Sequence, residues 1–167
     1  MLGRKIFDPE RVESQLTEVE GIGLLPITTS FDIVKTTHRV KSEVIDGRGI
    51  LSKCQGSEIT GYEIHMGQTG GDEVRIPFRI TERSGSATAS NDGAIDDEGL
   101  TLGTYMHGLF HNDDLRNSIV NWLASKRGVT LENNTETLDF DVEFDKLAAH
   151  IRRELDMDML YEIVGLK

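Results

Sequence analysis

Among 167 residues there is one cysteine, Cys54, which excludes an intrachain disulfide and any cysteine-based zinc cluster. A reducing, cytoplasmic setting fits that scarcity. Positive charge is also in short supply. Against 29 acidic side chains stand 18 basic ones, a net charge of -11, so the summed field repels phosphate backbones and anionic lipid, and nucleic acid is not expected as a partner. No stretch is apolar for long enough to span a membrane. Residues 1–10 include Arg4, Lys5, Asp8 and Glu10 and contain no signal-peptide core. No internal repeat or low-complexity tract divides the chain, and its length suits one ordinary domain.

What is present is enough apolar material to collapse: 37% of residues are apolar against 28% charged. Residues 21–26, Gly-Ile-Gly-Leu-Leu-Pro, read as a short buried strand between turn residues. Residues 31–51 are rich in Thr, Val and Ile, which favours extended hairpin-like structure with a turn at Gly47-Arg48-Gly49. Further strands are predicted over 59–66 and 74–80, separated by a turn at 67–71, and over 100–106. The pattern then changes period. Leu115, Ile119, Trp122 and Leu123 fall at helical spacing over 113–127, with Asn112 or Asp113 as the cap and Gly128 as the stop. Residues 128–140 have no apolar period and read as an exposed loop. A second helical stretch follows, with Phe144, Leu147, Ala148, Ile151 and Leu155 on one face. The organisation is α/β, ending in helices.

The string Gly103-Thr104-Tyr105-Met106-His107-Gly108-Leu109-Phe110 delivers a histidine from a strand into a glycine turn, the kind of position where α/β folds gather ligands. Spacing alone leaves two roles for His107: a site residue, or an imidazole satisfied within a packed turn. In Gly61-Tyr62-Glu63-Ile64-His65-Met66-Gly67, strand alternation sends Tyr62, Ile64 and Met66 to one face and Glu63 and His65 to the other. Glu63 and His65 then either line a pocket or form a hydrogen-bonded pair that fixes the strand. His38 with Arg39 and Lys41 reads as a solvated strand face. His111 and His150 have no partners at metal-ligand spacing, and the acidic runs at 96–98 and 156–158 read as solvated surface, so no metal site is expected.

These two strings, together with Gly23-Leu24-Leu25-Pro26-Ile27-Thr28-Thr29, resemble in content and order three blocks of the cobyric acid synthase family of corrin-type class I glutamine amidotransferases, over residues 1 to about 125. The resemblance implies a flavodoxin-like α/β fold, present as its later half in residues 1–127, with residues 128–167 as a loop and C-terminal helical segment packing on it. It implies a glutaminase that supplies ammonia for ATP-dependent amidation of peripheral carboxylates of adenosylcobyrinic acid a,c-diamide, a ligase reaction in cobalamin biosynthesis. His107 takes the role of the catalytic histidine, and Tyr62, Glu63 and His65 are candidates for binding glutamine. The position two residues after His107, where many class I amidotransferases carry an orienting glutamate, is Leu109, so no third triad member is assigned.

Two parts of the family pattern are missing from these 167 residues. The nucleophile of such enzymes sits in a string resembling Gly-x-Cys-Gly-Gly-Tyr-Gln-Met-Leu-Gly, whose last three residues correspond to Met1-Leu2-Gly3. Cys54 has no glycine-rich elbow around it and reads as an incidental surface or half-buried thiol. There is also no phosphate-binding Gly-x-x-x-x-Gly-Lys-Ser/Thr string, so no cofactor is expected on this segment, and ATP and magnesium are expected in an N-terminal synthetase domain. The partners implied are glutamine, that domain and its corrinoid substrate. Self-association is also expected, through apolar surface at Leu24, Leu25 and Ile27. Two alternatives stay open: a catalytically inactive binding or assembly module, and the related cobyrinic acid a,c-diamide synthase.

Overall fold

The computed structural model describes residues 1–131 and 139–166. The chain divides into two compact units, Met1–Leu131 and Glu132–Lys167. The first holds strands β1 (Lys5–Phe7), β2 (Glu18–Glu20), β3 (Thr28–Val44), β4 (Glu58–Gly70), β5 (Phe78–Arg83), β6 (Ser86–Asp92), β7 (Ala94–Ile95), β8 (Leu102–Gly103) and β9 (Met106–His107), followed by helix α1 (Asp113–Lys126). The second holds α2 (Phe140–Glu154) and α3 (Met157–Ile163). The mixed α/β class expected from the sequence is what the structure has, with a central sheet and, among the described residues, three α-helices.

The central sheet runs β2-β1-β3-β4-β9, with β5 also paired to β3 and β6 to β5. β3 is its spine. At its start it pairs in parallel with β1, along most of its length it pairs antiparallel with β4, and at its end it pairs antiparallel with β5. A 17-residue strand is possible because Thr, Val and Ser predominate and alternation serves two environments. Val40, Ser42 and Val44 are buried while Arg39 and Lys41 are exposed. The register slips between Phe31 and Thr36, where Asp32 to Lys35 leave the ladder and the Asp32 carboxylate accepts the Ile33 amide hydrogen at 2.6 Å.

Under the sheet lies one cluster of Val40, Val44, Leu51, Cys54, Ile59, Phe78, Ile80, Ile95, Met106 and Leu115, with a smaller one at Leu25, Ile27 and Ala94. Cys54 is 1% exposed, and its thiol faces the Asp114 carbonyl at 3.6 Å. It is a core residue rather than the surface or half-buried thiol expected. Leu25 and Ile27 are buried as well. Only Leu24, at 56%, is exposed, so the apolar surface expected there is mostly covered.

Several boundaries differ from the sequence reading, each for a local reason. Residues 21–26 form no strand: they bond irregularly to the first residues of the chain, and Gly23 at φ +78° turns the backbone out of an extended path. The expected turn at 67–71 is mostly strand, since β4 continues to Gly70. The strand expected over 74–80 begins only after Pro77, which has no hydrogen to donate to the ladder, and it runs on to Arg83. The strand expected over 100–106 is two short ones, β8 with β7 and β9 with β4. β6 was not expected, because Ser-Ala-Thr-Ala-Ser-Asn-Asp carries no apolar alternation. Its signal was the Ser84-Gly85 turn, with φ of +48° and +84°.

α1 matches its expected span, closed by Gly128 at φ +65° with the Val129 amide returning to the Ala124 carbonyl at 2.9 Å. Asn112 stands at its N-cap, but its side chain is spent on β4. It accepts the Thr60 amide hydrogen at 2.9 Å and donates to the Thr60 carbonyl at 2.9 Å, fastening the helix start to the sheet. In the second unit Asp139 caps α2 and Asp156 caps α3, so Asp156 has a structural role as well as a solvated one. Leu155 follows α2 as its C-cap residue. Of the loop expected over 128–140, residues 132–138 lie outside the described residues. Among the described residues no helix is long and apolar enough to cross a membrane.

Phe78 is fully buried at the centre of the main cluster. Phe78→Ala is expected to lower unfolding free energy by about 3–5 kcal/mol in urea titrations, through lost transfer energy and the cavity left behind.

Candidate active site at the His107 strand

β9 is only two residues long and lies at one end of the sheet order, paired through Tyr62↔His107 and Glu63↔Met106. Residues paired directly across an antiparallel ladder share a face. His107 therefore projects on the side of Tyr62, and Met106 on the side of Glu63. Both Tyr62 and His107 are exposed, while Glu63 and Met106 are buried. Among the described residues the His107 side chain makes no hydrogen bond. After it, Gly108 takes φ +78°, a left-handed conformation that glycine adopts freely, and the chain turns into a short 3-10 helix at Leu109–His111.

Gly61 permits the approach of this strand. A Cβ added there would stand 2.6 Å from the His107 carbonyl oxygen. Gly61→Ala is expected to push β9 off β4, with faster hydrogen exchange at the β9 amides while those inside α1 keep their protection.

The other face carries a polar network built on a buried carboxylate. Glu63 is 3% exposed and receives both arms of the Arg83 guanidinium, Nε at 2.6 Å to Oε2 and Nη2 at 2.8 Å to Oε1. His65 Nε2 lies 3.2 Å from Oε1 of Glu63, and its Nδ1 lies 2.7 Å from the Gly67 carbonyl. With a carboxylate and a carbonyl as partners, both ring nitrogens are in donor positions. The His65 ring stacks on Tyr105, centroids 4.2 Å apart, and the Tyr105 hydroxyl reaches Thr69 Oγ1 at 2.5 Å. Thr69 in turn meets Thr29 at 2.7 Å. The network thus ties β3, β4 and β5 to the loop that leads into β9.

Asp92 lies close to this network, its carboxylate accepting from the Thr104 hydroxyl and, at 3.3 Å, from the Tyr105 amide. Burial pushes its carboxyl above the usual aspartate range despite those bonds, and the Glu63 charge adds to the rise. Glu63 moves the other way. Burial alone would raise it, but the Arg83 and His65 hydrogen bonds and charges outweigh burial and hold it below the usual glutamate range. A cavity of about 480 Å³ opens beside Thr29, Thr69, Asp92, Thr104 and Tyr105. On the Tyr62 face a second cavity, of about 640 Å³, is lined by Arg39, Lys41, Thr60, Tyr62, Glu82, Gly108 and His111 among others.

Of the four residues singled out from sequence, His107 and Tyr62 stand side by side on one face, and Glu63 and His65 stand bonded together on the other. Sequence reading did not single out Arg83 or Tyr105. No local string announces Arg83, since its link to Glu63 arises from the pairing of β5 and β4 with the same spine. Of the remaining histidines, His38 bonds Ser84 Oγ at 3.1 Å and His150 bonds Arg153 at 2.9 Å. No group of three or more potential metal ligands occurs among the described residues.

A folded carboxyl held below its unfolded value contributes stability above the ordinary glutamate range and loses it as pH falls through the folded value. Glu63→Gln is therefore expected to cost about 3 kcal/mol at pH 7, because it strands Arg83. The gap from the unmodified protein should close as pH drops below the glutamate range. Chemical denaturation across pH 3–8 checks this; a gap independent of pH would assign the loss to packing alone.

Residues 1–115 match the family described as the CobB/CobQ-like glutamine amidotransferase domain. The chain is 38% identical over 165 residues to the cobyric acid synthase of Dehalococcoides mccartyi, covering 99% of this chain and 32% of that protein. It is 39% identical over 169 residues to that of Desulfitobacterium hafniense, covering 99% and 32%. To that of Moorella thermoacetica it is 40% identical over 171 residues, covering 100% and 33%. The chain therefore spans about a third of the length of the curated relatives it matches.

Proposed function

The chain belongs to the CobB/CobQ-like glutamine amidotransferase family, and from that premise we propose that it forms the glutaminase portion of a cobyric acid synthase. In this reading it releases ammonia from glutamine for amidation of peripheral carboxylates on adenosylcobyrinic acid a,c-diamide in cobalamin biosynthesis. The observation that carries the proposal is His107, exposed on the short strand at one end of the sheet order with a left-handed glycine behind it. Identity of 38–40% to cobyric acid synthases over nearly the whole chain supports the same reading.

The chemistry needs a thiolate and a proton carrier. A thiol is only partly ionised near neutral pH, so an imidazole that takes its proton raises the attacking fraction. The thiolate adds to the side-chain amide carbon of glutamine. The same imidazole, now protonated, gives its proton to departing ammonia, and then accepts one from the water that hydrolyses the thioester. His107 serves as that imidazole. Tyr62 stands beside the substrate, while Glu63 and His65 act from behind the sheet by holding β4 and the loop before β9 in place. Cys54 is not the nucleophile: it is 1% exposed within the core. The proposal therefore requires a cysteine brought to His107 from outside residues 1–167. ATP and magnesium are assigned in the same way to a synthetase portion outside these residues. The buried state of Cys54 also favours a second reading, in which this chain by itself is an inactive binding or assembly module.

An assay separates the two. Residues 1–167 alone are expected to hydrolyse no glutamine, and to do so once joined to a segment carrying the family's cysteine elbow. In the joined protein, with the synthetase portion present, His107→Ala should lower glutamine-dependent amidation by at least 10²-fold and leave ammonia-dependent amidation within about twofold. Equal loss of both activities would make His107 structural. Absence of glutamine hydrolysis in the joined protein would favour the inactive module.

A further inference from the structure

Arg39, Tyr62 and His107 form one row across three strands. Arg39 pairs with Tyr62 between β3 and β4, and Tyr62 pairs with His107 between β4 and β9, so all three project from the same face. Lys41 and Thr60 make the adjacent row on that face, and the cavity of about 640 Å³ is lined by Arg39, Tyr62, Lys41 and Thr60 and reaches Gly108, the residue after His107. In a chain of net charge -11, the cavity lining holds two basic side chains, Arg39 and Lys41, against one carboxylate, Glu82. The carboxylate lining the cavity, Glu82, is already 3.4 Å from Lys41 Nζ. Arg39 has no carboxylate partner among the described residues. Its guanidinium carbon instead lies 6.0 Å from the centroid of the Tyr62 ring, in reach of a cation-π attraction that steadies it over the ring.

An arginine without an anion, held over an aromatic ring, presents a planar fork suited to one carboxylate. Strands in a sheet are about 4.8 Å apart, so two strand spacings put the Arg39 and His107 backbones about 10 Å apart. The carboxylate carbon and the amide carbon of extended glutamine are about 5 Å apart. A side chain as long as arginine, reaching back over Tyr62, covers the difference. We propose that the Arg39–Tyr62–His107 row is a carboxylate-binding site in which Arg39 holds the α-carboxylate of glutamine so that its side-chain amide lies at His107. This rests on the glutaminase reading above. It adds a substrate-binding residue that no sequence motif indicated, since Arg39 lies 68 positions before His107.

The test is a nuclear magnetic resonance titration of residues 1–167 with L-glutamine, with acetate, and with L-glutaminol, which keeps the amide and replaces the carboxylate by an alcohol. Glutamine and acetate are expected to shift the Tyr62 and His107 ring signals, and glutaminol to leave them in place. Arg39→Gln should weaken glutamine binding at least tenfold, with Arg39→Lys between the two. Arg39 is exposed, so unchanged signals from α1 and the core will show that the variants are folded. Binding by Arg39→Gln equal to that of the unmodified chain, or no shift of these rings by either carboxylate, overturns the proposal. If acetate shifts the rings in an Arg39-dependent way and glutamine does not, the carboxylate site stands and glutamine as its ligand falls.

Discussion

The contact between Glu63 and Arg83 constrains the rest of the first unit. A carboxylate taken out of water must be neutralised or bonded on every lone pair. Glu63 solves this with two guanidinium nitrogens from β5 and one imidazole nitrogen from His65. Because Arg83 lies on β5 and Glu63 on β4, and both strands pair with β3, the guanidinium bonds are satisfied only when the three strands are in one register. His65 then extends the constraint through its stack on Tyr105, two residues before His107. A buried charge in the sheet interior thus fixes the loop that leads into β9, a strand of two residues with little pairing of its own.

The same arrangement divides labour between the faces of one strand. The period of two in β4 sends Glu63 and His65 inward to a closed network and Tyr62 outward, beside His107. Glycine at position 61 lets β9 lie close enough for that juxtaposition. The inward face gives rigidity and the outward face remains open for a ligand, in keeping with the preference for mounting reacting groups on elements whose positions are set elsewhere.

Family membership and the placement of Cys54 together bound the chemistry available to these residues. The core cysteine packs among Leu51, Ile59 and Leu115 and behaves as a small apolar side chain. The glutaminase proposal treats His107, at the sheet's margin with no thiol beside it, as half of a proton-transfer pair and asks the other half to come from outside residues 1–167.

Much of this was legible along the chain. The helical spacing of Leu115 and Ile119, the stop at Gly128 and the alternation around Glu63 are local patterns, governed by the geometry of a single strand or helix, and they held; the extended character of residues 31–51 held as far as Val44, as part of one strand rather than a hairpin, and gave way to a 3-10 turn at Gly49–Leu51. The His107 string was legible through resemblance, whereas its spacing alone left two roles open. What could not be read were facts that belong to pairs of distant segments. The β5–β6 hairpin, Arg83 as the partner of Glu63, the burial of Cys54 and the alignment of Arg39 with His107 depend on register between strands. No periodicity within a segment encodes that register. Local composition therefore determined the main strands and helices and which strings were candidates for chemistry. Only the tertiary structure decided which of them face one another, because hydrogen-bonded pairing and the satisfaction of a buried charge are settled across the sheet and not along the chain.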